Sequence, residues 1–171
     1  MLIKLPSLSR PGANVGQFAL EVNRYLPSAQ IYSFEPLKDA YLDIVKNGGK
    51  IKNFRVFNMA LGEFNGTTKI YKNKFSPASS ILELSDLAKE TYPFTAHALE
   101  EEIIVRKLDG VIIDENIELK PEALIKLDVQ GYDVQGYEDK VREGGIETFR
   151  KAKVVVTEVS FQELYKGQLL F

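Results

Sequence analysis

The carboxylates of Glu35, Asp128 and Glu158 each directly follow a short apolar, β-branched run, and Gly12 and Gly16 stand four apart in "RPGANVGQ" just before an amphipathic segment. Glycines at a strand-to-helix turn allow a tight bend and close packing, and the helix start then offers backbone N–H groups to an electron-rich ligand. Glu35 lies 23 residues beyond Gly12, the distance at which nucleotide-type sites place the carboxylate that holds ribose hydroxyls. Asp128 or Glu158, within hydrogen-bond reach of a hydroxyl, would serve as its general base. Each has a plainer reading. The glycines would form only a turn, Glu35 would be a helix-start charge favoured by the dipole, and Asp128 would pair with Lys126 on the same side of its strand. Glu158 carries the same alternative as Asp128. The single histidine, His97, fits a surface helix position better than a chemical role. Tyr132, Ser79 and Ser80 suit an acceptor contact or ordinary turn and cap roles equally.

Alternating strands and helices must bring these positions together. Val15, Phe18, Ala19, Val22 and Leu26 recur at helical spacing, and Pro27 ends that helix. "AQIYSF" then reads as a strand, followed by a helix carrying Leu37, Ala40, Tyr41, Ile44 and Val45 and stopped by Asn47-Gly48-Gly49. "FRVFNMAL" reads as one strand, and "TTKIYKN" after Asn65-Gly66 as a strand of a hairpin-like excursion. Residues 73–102, with "SPASS" and Glu100-Glu101-Glu102, suggest an insertion or lid facing water. "EIIVRKLDGVII" gives a strand running into a short helix. "EALIKLDV" and "AKVVVTEVSF" are nearly continuous apolar strands of the kind buried on both faces. The first strand, within "IKLPSLSRP", is the weak place, because with two prolines and little β-branched content either the strand is short or the chain begins late. This pattern predicts an α/β domain over residues 1–171, with a mainly parallel, Rossmann-like sheet and helices on both faces.

Composition narrows the function classes. A chain of 171 residues with net charge -2 has no basic footprint for nucleic acid, and zero cysteines exclude thiol nucleophiles and thiolate metal sites. No metal site is read from the sequence. The opening residues are too interrupted for a signal peptide, and no apolar run has spanning length. The expectation is a cytoplasmic protein without a membrane partner.

"GANVGQFA", "FEP", "NMALG", "SSIL", "IKLDVQGYD" and "VVVTEVSFQELYKGQLLF" together resemble the FkbM-type S-adenosylmethionine-dependent methyltransferases, in order and with similar spacing from about residue 10 to the last. The resemblance implies a class I methyltransferase fold, an S-adenosylmethionine cofactor and O-methylation of a small-molecule or saccharide hydroxyl. It places Gly12, Asn14 and Gly16 around the methionine part, Glu35 on the ribose, Ala60 and Leu61 beside the adenine, and Asp128 facing the sulfonium and acceptor. Two departures stand out. Arg10-Pro11 replaces the family's Asp-x before Gly12, and family members continue past "GQLLF" through another helix and an antiparallel strand pair. The second departure implies missing C-terminal strands and an exposed apolar edge, either in a truncated chain or in a homodimer paired there. Two main readings follow: an active O-methyltransferase, or a remnant that keeps the sheet and has lost the cofactor. A weaker third, a nucleotide- or NAD-binding enzyme, lacks the Gly-x-Gly-x-x-Gly spacing.

Overall fold

The structure, a computed structural model, describes residues 2–4, 16–73, 81–82, 85, 98–127, 137–157, 161, 163, 166–167 and 170. In chain order the elements begin with β1 (Leu2–Lys4), α1 (Gln17–Tyr25), β2 (Ile31–Phe34), α2 (Lys38–Gly48) and β3 (Phe54–Phe57). They continue with β4 (Ala60–Leu61), β5 (Gly66–Asn73), β6 (Ala98–Arg106), α3 (Leu108–Asp114), β7 (Leu124–Leu127), α4 (Glu138–Gly144), α5 (Ile146–Lys151) and β8 (Val154–Thr157). The larger sheet has five strands in the order β3-β2-β1-β7-β8, every neighbouring pair parallel. The smaller has the order β4-β6-β5, with β5 antiparallel to β6.

Side-chain alternation along the strands divides the core into two layers. Ile31, with Phe54 and Leu124 beside it, meets Ala19, Phe18 and Val22 of α1 on one face. Tyr32, Phe34, Ile125 and Leu127 meet Leu108 and Val111 of α3 and Val141 of α4 on the other. Helices thus cover the large sheet on both sides, as the alternating pattern predicts. Fully burying one such Ile, Leu or Phe contributes about 1.5–3 kcal/mol, so these layers are the main source of stability.

β1 covers the three residues Leu2–Lys4, and Pro6 lies outside the described residues. Two expectations are refined. "FRVFNMAL" is two strands: the chain leaves the large sheet after Phe57 and enters the small one at Ala60. The last part of the stretch read as an insertion, residues 98–102, belongs to β6, where Lys69 of β5 pairs with Glu100. Most of the rest of that stretch, His97 included, lies outside the described residues.

β8 forms one edge of the large sheet, and Val154, Val155 and Val156 are 45%, 42% and 43% exposed. The opposite edge is furnished differently. Arg55 of β3 lies 5.0 Å from the Phe57 ring centroid and donates to the Glu115 carbonyl at 3.1 Å, beyond the end of α3.

α4 packs closely against the turn after β4. A Cβ at Gly144 would stand 1.9 Å from the Gly62 carbonyl oxygen, which is rigid backbone. Gly144→Ala therefore destabilises the fold by about 3 kcal/mol in urea unfolding. Gly110→Ala, in α3 with nothing within 4 Å of the added carbon, stabilises it by about 0.5–1 kcal/mol in the same measurement.

Candidate functional site

Parallel pairing brings the strand ends to a common edge. Lys4 is in register with both Ser33 and Lys126, Phe34 with Phe57, and Leu127 with Thr157. From β1 the chain moves outward through β2 and β3, then returns to β7 and β8 on the other side of β1. The crevice of such a sheet opens at this reversal, beyond the carboxyl ends of β1 and β7.

Glu35 leaves β2 at that edge and is 6% exposed, so it is not a solvated helix-start charge. Its N–H donates to Phe57 O at 3.0 Å, and its Oε1 accepts the Leu37 N–H at 2.9 Å. Asn58 Nδ2 donates to the Glu35 and Pro36 carbonyls at 2.9 and 3.0 Å. The carboxylate is therefore held by backbone on one side, while the ends of β2 and β3 are tied together. A buried carboxylate held in one orientation accepts hydroxyl donors through charge-assisted hydrogen bonds.

Gly16 caps the start of α1 with φ 92°, and the cap makes no side-chain hydrogen bond. An added Cβ would sit an ordinary 3.7–3.8 Å from Ile44 of α2, so the left-handed backbone, not space, calls for glycine. Ala60 and Leu61 are each 4% exposed. Leu61 packs in the cluster of Tyr32, Phe34 and Leu127, and Ala60 in that of Leu37, Ile70, Ile103 and Val105. Their side chains serve the core. Lys126, on β7, holds its Nζ 4.9 Å from the centroid of the Phe18 ring in the first turn of α1. Gly12, Asn14, Asp128 and Glu158 lie outside the described residues, as do Arg10, Pro11, Ser79, Ser80 and Tyr132.

Sequence reasoning passed over three supporting residues. Asn58 had a signal, because asparagine is unfavourable inside a strand and stands where "FRVFNMAL" divides. Asp109 of α3 accepts the N–H groups of Glu147 and Thr148 and the Thr148 hydroxyl, capping α5 from another element. Tyr137, 6% exposed, donates its hydroxyl to Glu63 Oε2 at 3.1 Å. Neither Asp109 nor Tyr137 carries a local signal for a partner so distant in the chain.

The sequence profile of the methyltransferase FkbM domain matches residues 12–171. The chain belongs to this family. It is also similar to the 2-O-methyltransferase NoeI of Sinorhizobium fredii (strain NBRC 101917 / NGR234), at 31% identity over 162 residues, covering 92% of this chain and 65% of that protein. No solved structure matches it. Glu35 and Gly16 thus fall within the FkbM domain, Glu35 at the carboxyl end of β2 and Gly16 at the start of α1. Among the described residues of this FkbM chain, no helix is long and apolar enough to cross a membrane.

Burial, and then the charge of Glu63, push the Tyr137 phenol well above its ordinary range. The folded state keeps that proton to higher pH than the unfolded chain does. The stability linked to the neutral phenol is complete below about pH 10 and is lost as pH rises from there toward the folded value. The unfolding free energy of the wild type in urea therefore falls more steeply above about pH 10 than that of Tyr137→Phe, which at pH 7 is about 1 kcal/mol less stable.

Proposed function

We propose that this chain is an S-adenosylmethionine-dependent methyltransferase with a Rossmann-like class I sheet, acting on a hydroxyl oxygen of a small-molecule or saccharide acceptor. The observation that carries the reading is the buried carboxylate of Glu35, fixed by backbone at the carboxyl end of the strand beside β1. Family membership supports the cofactor class, and the 2-O-methyltransferase relative supports oxygen as the methyl acceptor.

The described residues fit such a cofactor. Glu35 offers acceptor oxygens to the two ribose hydroxyls, and the positive-φ Gly16 forms the turn into α1. With Gly16, Gly12 and Asn14 form the turn around the methionine part, and the Ala60-Leu61 segment runs beside the adenine. When bound, S-adenosylmethionine supplies an electrophilic methyl group on a sulfonium. The protein's work is alignment: it holds the acceptor oxygen in line and excludes water, which in favourable cases contributes about 7–11 kcal/mol. Asp128 or Glu158 takes the proton from the acceptor hydroxyl as its oxygen becomes nucleophilic.

Calorimetry with S-adenosylhomocysteine tests this. The wild type binds it, and Glu35→Ala weakens binding by about tenfold or more through loss of charge-assisted hydrogen bonds. Asp128→Asn lowers the rate of methyl transfer to a responsive saccharide or small-molecule hydroxyl by about 10²–10⁴-fold. Well-folded protein that gives no heat with either S-adenosylmethionine or S-adenosylhomocysteine would overturn the proposal in favour of a sheet that has lost its cofactor.

A further inference from the structure

Among the described residues, β8 has β7 on one side and no strand on the other. Alternate residues of a strand point to opposite faces, yet Val154, Val155 and Val156 are 45%, 42% and 43% exposed, so neither face of β8 is fully covered. Edges that must stay unpaired are blunted by a charge, a proline or a bulge. Val-Val-Val-Thr has no charge and no proline, and its register with β7 is unbroken.

The remaining edges of the two sheets differ. On β3, Arg55 stands within the strand, is 45% exposed and pairs with Glu115. On β5, the exposed Lys69 pairs with Glu100. β4 contributes only Ala60 and Leu61, both buried. A β8 edge laid on β3 or β5 would press valines against these ion pairs, and β4 gives it nothing to reach. The edge that matches β8 in charge and apolar character is another β8.

We propose that β8 is the docking edge for a second copy of this chain, the two strands running antiparallel across a two-fold axis normal to the sheet. Such a contact is closed, and it leaves each helical layer on its own side. Full overlap sets Val154 opposite Thr157 and Val155 opposite Val156. Charge selects the orientation. Lys151 and Lys153 are exposed just before β8. Antiparallel pairing holds the two copies of Lys153 about 17 Å apart, beyond the screening length of about 8 Å, whereas parallel pairing sets them side by side at about 5 Å. Four residues a side fall short of the roughly 800 Å² per partner of a standard interface, so the dimer is weak and exchanges readily.

Sedimentation velocity on the 171-residue chain, from about 1 to 500 μM, tests this. The wild type passes from monomer to dimer and no further, with a dissociation constant on the order of 10–100 μM. Val155→Lys, at a side chain already 42% exposed, stays monomeric throughout and keeps the urea midpoint of the wild type. The chain has no cysteine, so introduced thiols report the geometry independently of that variant. Under mild oxidation an equimolar mixture of Val155→Cys and Val156→Cys proteins forms a disulfide-linked dimer, and Lys153→Cys protein does not. A wild type that is monomeric at the highest concentration overturns the proposal. So does a mass that keeps growing with concentration, the mark of an open head-to-tail contact, and so does a dimer that Val155→Lys leaves intact. Cross-linking of Lys153→Cys to the extent of the mixture overturns the antiparallel pairing.

Discussion

β1 contributes three residues to the large sheet, yet it is hydrogen-bonded on both sides, to β2 and to β7. Among the described residues, this ladder is what joins β2 and β3 to β7 and β8. The constraint works because the helical layers on both faces press the same strands together from above and below. Covering helices supply the burial, and β1 supplies the register. The reversal of strand order, and with it the location of the crevice, exists only because β1 has a partner on each side.

Much of the fold is legible in the chain because the apolar runs are either strictly helical in period or nearly continuous. β2, β7 and β8 stand out as short β-branched and aromatic stretches, and α2 is bracketed by Pro36 and a glycine pair. The division of "FRVFNMAL" is hidden, since the run is apolar on both sides of Asn58. What splits it is a side-chain amide reaching carbonyls that precede it by 23 and 22 residues, which no local pattern encodes.

The site shows the same division between what spacing reveals and what packing decides. Spacing marks Glu35, but it does not distinguish a solvated charge from the buried, backbone-held carboxylate observed. Ala60 and Leu61 illustrate the converse. An apolar strand-end pair looks the same in a sequence whether it flanks a ligand or fills a core, and here the side chains fill two cores. Tyr137 and Glu63 are 74 residues apart, so their hydrogen bond becomes visible only once β4 and α4 are brought together.

Asn58 also marks a boundary between two kinds of architecture. Just before it the chain builds β1, β2 and β3 of the parallel sheet, and just after it β4, β5 and β6 build a second ladder whose small core joins Ala60, Ile70, Ile103 and Val105 to Leu37. β5 and β6 pair in antiparallel register from Gly66 opposite Val105 to Asn73 opposite Ala98. Ile81, which follows β5 in the chain, packs against this core and against that of the parallel sheet, and Leu82 packs against the latter. The two ladders therefore share a seam of side chains, and a substitution there is felt on both sides of it.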